Sequence, residues 1–165
     1  MAMSLGMLVW NVRGLNNPAR RCSIRLFTQS YNVSLVCFQE SKMAMLDATV
    51  VCETLGPAFD GFDFLPADGT RGGMMMAWKS DKLRVFNVQK DEFMLSAQVV
   101  SLEDGKEWLV SSVYGPQGDN DKIRFLEQMV QFGDQVRLPW IVVGDFNLVC
   151  SELERSTGRG NRRLI

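Results

Sequence analysis

The chain contains no histidine among its 165 residues. Histidine is the only side chain whose unperturbed pKa places its charge change near neutrality. A general base supplied by this chain would therefore have to be a carboxylate, a lysine or a metal-bound hydroxide. The absence excludes every mechanism in which the chain itself provides an imidazole.

An excess of positive charge is also lacking, because the net charge is −1 at pH 7. With no overall positive field, binding of nucleic acid would have to depend on local basic patches. Two groups of arginines are candidates, and solvated surface charge explains each group at least as well. They are Arg13, Arg20, Arg21 and Arg25 near the start, and Arg155, Arg159, Arg162 and Arg163 near the end.

Cysteines are few and scattered, and long apolar runs are absent. Cys22, Cys37, Cys52 and Cys150 have no paired spacing, so they are interpreted as reduced residues and not as a zinc site or a disulfide framework. No apolar run approaches the roughly 20 residues of a membrane helix, and the first six residues lack the features of a secretory signal. We expect an intracellular protein, nuclear or cytoplasmic, with no membrane partner.

What is present indicates a single α/β domain with a substantial core. Helices are predicted over 19–31, after the N-cap Asn17 and Pro18, over 43–55, and over 121–136. The last of these carries apolar residues at helical spacing, namely Ile123, Leu126, Met129, Val130 and Gly133. Strands are predicted over 6–12, 34–39, 62–65, 73–78, 83–89, 94–102, 107–114 and 141–145.

Two local signals refine this pattern. Asp104-Gly105 predicts a two-residue hairpin turn between the strands at 94–102 and 107–114. The run from Met74 to Met76 is interpreted as core filling. The order of elements predicts an α/β sandwich, in which two mixed, largely antiparallel sheets pack face to face with helices outside.

Oxygen-bearing side chains stand where several of the apolar strands end. Asp145 and Asn147 stand at the end of the strand at 141–145, and in extended backbone residues two apart point to the same side. Asn11, Glu40 and Tyr114 end or follow three other strands. Each has an ordinary explanation: an Asx turn for Asn11 and Asp145, a solvated charge for Glu40, a packing lid for Tyr114. Together they suggest one site of hard ligands, suited to Mg²⁺ and phosphate chemistry.

The motifs around these residues resemble the endonuclease/exonuclease/phosphatase superfamily, which includes apurinic endonucleases, DNase I-like nucleases and phosphoesterases. The amino-acid sequences of the first and last motifs are most similar to the endonuclease domain of plant LINE-type (non-LTR) retrotransposons. The matching stretches are 8–14 (LVWNVRG), 37–42 (CFQESK), 72–78 (GGMMMAW), 113–116 (VYGP) and 143–148 (VGDFNL). The resemblance implies a DNase I-like, four-layer α/β sandwich and a DNA partner.

The resemblance also implies a role for each strand-end residue. Glu40 would be the principal ligand of Mg²⁺ (or Mn²⁺), with Asn11 beside it, and Tyr114 would contact the scissile phosphate. Asp145 would orient or deprotonate the attacking water, and Asn147 would hold the phosphate or the nucleophile by hydrogen bonds. Catalytic residues are thus expected at Asp145, Asn147, Tyr114 and Asn11, and metal ligands at Glu40 and Asn11.

One departure from the family pattern limits these expectations. The family completes its site with a late Asp ligand and a Ser-Asp-His motif, and this sequence contains neither that motif nor any His. We therefore expect residues 1–165 to be the N-terminal portion of the domain, with weak or no nuclease activity in isolation. Two alternatives remain open: a non-catalytic remnant or interaction module that self-associates through an unpaired sheet edge, with no defined partner protein, and a phosphoesterase of a non-DNA substrate.

Overall fold

Two four-stranded sheets form the centre of the protein, and a computed structural model describes residues 5–69 and 71–148. Cys150 and the second arginine group lie outside the described residues. The elements are β1 (Gly6–Asn11), α1 (Pro18–Gln29), β2 (Val33–Gln39), α2 (Ala48–Leu55), β3 (Gly61–Leu65), β4 (Met74–Trp78), β5 (Leu83–Lys90), β6 (Met94–Ser101), β7 (Glu107–Tyr114), α3 (Asp119–Gln135) and β8 (Trp140–Asp145).

Each sheet carries one parallel pair of strands at an edge. The first sheet has the order β1-β2-β4-β3, and the second has the order β5-β6-β7-β8. β1 pairs with β2 in parallel and β7 pairs with β8 in parallel, whereas the remaining pairs are antiparallel. Both parallel pairs are joined by a helix, α1 in the first case and α3 in the second, as parallel neighbours require. The predicted mixed, largely antiparallel sandwich is confirmed.

The helix starts follow local capping chemistry. The side chain of Asn17 accepts a hydrogen bond from the Ala19 amide at 2.9 Å, and Pro18 opens α1, so both predictions are confirmed. For α2 the predicted start at residue 43 is wrong. Asp47 is the N-cap, and its Oδ1 accepts from the Val50 amide at 2.9 Å. The backbone of residue 43 instead holds the following loop, because its carbonyl accepts from the Ala67 amide.

The turn between β6 and β7 is larger than the sequence predicts. The Ser101 amide donates to the Lys106 carbonyl at 2.9 Å, so four residues form the loop and the predicted two-residue turn is wrong. Gly105 takes a φ of +69° and donates to the Ser101 carbonyl. The glycine is therefore used for its left-handed conformation, but at the end of a longer loop.

Three hydrophobic layers hold the sandwich together. One lies between the two sheets, a second between the first sheet and helices α1 and α2, and a third between the second sheet and α3. The methionine run divides between the first two layers: Met74 and Met76 face the other sheet, and Met75 faces the helices. All three are buried, so the interpretation as core filling is confirmed. Cys37 is also buried between the sheets, and burial raises the pKa of its thiol to about 12.

The buried face of α3 is not the stripe of apolar residues from which the sequence predicts the helix. Ile123, Leu126 and Val130 are exposed, whereas Phe125 is fully buried and stacks near Phe93 and Phe146. Helical spacing cannot choose between two apolar stripes on one helix, and the larger aromatic surface is the one that is buried. No helix in the described part of the chain combines the length and apolar character needed to cross a membrane.

Candidate active site

The carboxyl ends of both parallel pairs meet at the same edge of the sandwich. β1 and β2 end side by side, with Asn11 opposite Gln39, and β7 and β8 end with Tyr114 opposite Asp145. β1 lies against β8 and β2 lies against β7, so the four strand ends are neighbours at this edge. The ends of β1, β2 and β8 line one cleft there.

Asn11 and Asp145 are in direct contact across the two sheets. Asn11 Nδ2 donates to Asp145 Oδ2 at 2.9 Å, although the two residues are 134 positions apart in the sequence. The second carboxylate oxygen of Asp145 accepts from the Asn147 amide at 3.1 Å, and Asn11 Oδ1 accepts from the Arg13 amide at 3.2 Å. Both residues therefore form the Asx turns of the ordinary explanation and converge on one site as well.

Asn147 acts on the neighbouring loop. Its side-chain amide donates to the Gly115 carbonyl at 2.6 Å, which ties the end of β8 to the loop that follows β7. Its φ is +50°, a conformation that asparagine tolerates better than most residues. Asn147 thus positions Asp145 and the loop after Tyr114 together.

Glu40 extends from a short loop pinned to the segment before β4. The amides of Ser41 and Lys42 donate to the carbonyls of Gly73 and Gly72, at 3.2 and 2.7 Å. The Glu40 side chain is 20% exposed, and one of its oxygens lies 3.2 Å from Lys42 Nζ. The carboxylate is therefore partly buried and paired with a lysine side chain that is itself mostly exposed.

Tyr114 and Glu40 share a wall formed by Gly72. A Cβ atom at position 72 would lie 2.7 Å from Tyr114 Cε1 and 3.0 Å from Glu40 Cγ, so only glycine leaves room for both side chains. Burial raises the pKa of the Tyr114 hydroxyl, and the charges of Glu40 and Asp145 raise it further. The hydroxyl therefore stays protonated at neutral pH and can donate a hydrogen bond to an anion.

Backbone strain is concentrated around the site. Within 5–69 and 71–148, five non-glycine residues have positive φ, and four of them lie in the loops that follow β1, β2 and β8. These four are Arg13, Glu40, Lys42 and Asn147. Strained backbone persists where the surrounding structure fixes it, and such residues cluster at functional sites.

The cleft also contains residues that sequence reasoning missed. It has a volume of 830 Å³, and Gln39 and Lys122 line it together with Asn11, Asp145 and Asn147. Gln39 is 1% exposed, and a polar residue at the end of a nearly all-apolar strand was the signal that could have identified it. Lys122 is nearly buried on the first turn of α3, and nothing in its sequence context indicates that position.

The donor atoms fit a hard cation in part. Within the described residues, no group of three His, Cys, Asp or Glu side chains is close enough to hold a metal by itself. Asp145 and the side-chain amide of Asn11 bring oxygen atoms to the cleft, and Glu40 follows Gln39, which also lines it. Mg²⁺ commonly binds through one or two carboxylates while keeping several waters. The residues present therefore fit such an ion with water and phosphate completing its shell.

The fold is a DNase I-like α/β sandwich, and the chain belongs to the endonuclease/exonuclease/phosphatase family, whose model matches residues 8–165. A comparison with curated protein sequences finds no significant match.

Three solved structures illustrate the likeness. TDP2 of D. rerio, complexed with a single strand DNA product, is 20% identical with a TM-score of 0.66, covering 88% of this chain and 61% of its own. The mannosyl-6-phosphatase of Bacteroides thetaiotaomicron is 18% identical with a TM-score of 0.63, covering 88% and 66%. The AP endonuclease of Leishmania major is 21% identical with a TM-score of 0.55, covering 86% and 55%. The present chain therefore spans between about half and two thirds of these proteins, and the likeness shows the fold.

Proposed function

We propose that this chain carries the metal- and phosphate-binding half of a Mg²⁺-dependent phosphodiesterase that acts on DNA. The observation that carries the proposal is the 2.9 Å contact between Asn11 of the first sheet and Asp145 of the second. It joins an amide and a carboxylate from distant strands at one cleft, and Tyr114 is close enough to Glu40 and Asp145 for both charges to raise the pKa of its hydroxyl. Membership of a family whose members typically use divalent metals supports the metal.

Each residue has a role that its surroundings support. Glu40 and Asn11 would hold Mg²⁺ or Mn²⁺, which when bound would offset the charge of the phosphate and of the leaving oxygen. The protonated Tyr114 hydroxyl donates to a phosphate oxygen. Asp145, oriented by Asn11 and by the Asn147 amide, accepts a proton from the attacking water. Asn147 fixes the position of that carboxylate relative to the loop after Tyr114, because it hydrogen-bonds to both.

DNA is the substrate that the motifs favour. The first and last motifs resemble LINE-type endonucleases, and similar folds include TDP2 with a DNA product and an AP endonuclease. The same fold also occurs in a mannosyl-6-phosphatase, which keeps a phosphoesterase of another substrate as the alternative. Because the chain supplies no His, we expect the isolated chain to bind a divalent cation but to show weak or no nuclease activity.

Calorimetric titration with Mg²⁺ tests the metal half of this proposal. We expect wild type to bind and Glu40→Ala to lose about 100-fold in affinity, since the variant lacks the principal carboxylate. Glu107→Ala is the matched control, because Glu107 is an exposed glutamate at the far end of β7 from the cleft. Equal affinities for wild type and Glu40→Ala would refute metal binding at Glu40.

Plasmid nicking in the presence of Mg²⁺ tests the catalytic half. We expect slow nicking or none by the isolated chain. Rapid nicking that Glu40→Ala abolishes would contradict the expected impairment while supporting the nuclease assignment. Hydrolysis of a small phosphate ester in preference to DNA would favour the alternative substrate.

A further inference from the structure

A buried polar link joins the two sheets directly behind the cleft. Gln39 Nε2 donates to Ser112 Oγ at 2.9 Å, and it also donates to the Cys37 carbonyl at 3.1 Å. Gln39 is 1% exposed and Ser112 is fully buried. Both residues stand in the layer between the sheets, among its apolar side chains. A polar pair in such surroundings costs stability unless both partners are satisfied, so the hydrogen bond fixes one relative position of β2 and β7.

This link lies next to the residues of the proposed function on both of its sides. Gln39 immediately precedes Glu40 in the chain. Ser112 is two residues before Tyr114, so its side chain points to the same face of β7. Beyond the link, Gly72 packs against both Glu40 and Tyr114 with no room for a Cβ. The separation of those two side chains therefore depends on how closely the ends of β2 and β7 approach.

We propose that Gln39 and Ser112 are positioning residues, which clamp the two sheets together so that Glu40 and Tyr114 are held at a fixed separation. The clamp acts in parallel with the Asn11–Asp145 contact, which joins β1 to β8 at the outer side of the same cleft. Neither Gln39 nor Ser112 needs to touch a substrate to do this. The consequence for metal affinity rests on the proposed function, whereas the consequence for the site loops does not.

Ser111 provides a matched control on the same strand. It is fully buried like Ser112, but it points to the opposite face of β7, where its Oγ lies 2.6 Å from Ser96 Oγ and accepts from Trp140 Nε1 at 2.9 Å. Ser111→Ala therefore removes buried hydrogen bonds of similar geometry without touching the link between the sheets. Gln39→Met serves as a second, near-isosteric way to break the link from the other side.

Native-state amide hydrogen exchange tests the clamp without any ligand. The reporters are amides that close the site loops: Ser41 and Lys42, which donate to Gly73 and Gly72, and Gly115, which donates to the Asp145 carbonyl. With variants compared at equal global stability, Ser112→Ala and Gln39→Met should raise exchange at these amides about tenfold, and Ser111→Ala should not. An increase no greater than in Ser111→Ala would overturn the proposal, because the link would then be ordinary core structure.

Mg²⁺ titration of the same variants tests the link to the site. We expect Ser112→Ala and Gln39→Met to lower the affinity about tenfold, as supporting residues of metal ligands do, and Ser111→Ala to leave it unchanged. Faster exchange at the reporter amides with unaltered affinity would overturn the claim that the clamp sets the position of Glu40. If wild type binds no Mg²⁺, the proposed function fails, and the exchange experiment alone decides whether the clamp exists.

Discussion

Both sheets contain the same edge unit, a parallel pair of strands joined by a helix, but the rest of each sheet is built differently. In each sheet a parallel pair stands at one edge and two antiparallel strands continue beyond it. In the first sheet two helices and a crossover from β2 to β3 complete the layer, whereas the second sheet is a simple antiparallel succession from β5 to β7 followed by α3. The shared feature is thus the parallel pair, and it is the part that supplies the cleft.

The difference between the two pairs is chemical. The carboxylate that follows the first pair, Glu40, is paired through one oxygen with the Lys42 ammonium. The carboxylate that ends the second pair, Asp145, accepts hydrogen bonds on both oxygens. In the proposed function, the carboxylate with one ion-pair partner binds the cation, and the carboxylate oriented by two donors directs a water molecule. Similar edge units therefore support unequal roles.

Glycines in the two edge units should respond unequally to alanine, and this is the largest effect that we predict. A Cβ at Gly144 would lie 2.1 Å from the Val113 carbonyl oxygen, and Gly144 also has a φ of +133°. At Gly6, the first residue of β1, a Cβ would lie 2.0 Å from the Asn32 carbonyl oxygen, but the φ of Gly6 is not in the left-handed region. We expect Gly144→Ala to lower the free energy of unfolding by about 3 kcal/mol and Gly6→Ala by about 1–2 kcal/mol. Urea unfolding measures both, and an equal or larger cost at Gly6 would contradict the comparison.

The tryptophans of the two edge strands give a second, smaller contrast. Trp10 on β1 and Trp140 on β8 each lie 5.4 Å, between ring centroids, from a phenylalanine of the crossover helix. Trp10 is 38% exposed, whereas Trp140 also donates to Ser111 in the core. We expect Trp140→Phe to cost about 1–2 kcal/mol of unfolding free energy and Trp10→Phe less than about 1 kcal/mol. Equal losses in denaturant titrations would show that the two units are packed equivalently.

A thiol in the layer between the sheets should react more slowly than a thiol on the surface of a helix. This is the smallest of the predicted effects on the protein at neutral pH. Cys37 is buried with its thiol pKa raised to about 12, whereas Cys22 on α1 is exposed. In a background with Cys52 and Cys150 replaced by serine, a thiol reagent at pH 8 should label Cys22 at once and Cys37 only on unfolding. Rapid labelling of Cys37 in the folded protein would contradict a closed layer.

The same thiol makes stability depend on pH with a definite sign. The folded pKa lies above the ordinary thiol value of 9.0, so the unfolded chain releases this proton first as the pH rises. The free energy of unfolding should therefore be unaffected by this group below about pH 9 and should fall from there toward pH 12. Cys37→Ala should remove that part of the slope, which alkaline denaturant titrations would measure.

Parts of the fold that depend on local chemistry were predicted correctly. Predictions failed where contacts between residues distant in the sequence decide the structure. Asn17 was identified as a cap because the hydrogen bond it makes reaches only two residues ahead. The start of α2 was missed because the residues before Asp47 are held by a loop much later in the chain. On α3 two apolar stripes compete, and only the neighbouring Phe93 and Phe146 decide which one is buried.

For the candidate site, the sequence alone determined which polar side chains end the strands, because alternation of apolar residues and turn formers is a local property. The tertiary structure decided that Asn11 and Asp145 meet at 2.9 Å, that Gly72 sets the gap between Glu40 and Tyr114, and that Gln39 reaches Ser112. These contacts depend on how two separately formed sheets stack, and stacking is governed by the summed burial of many side chains and by no single motif.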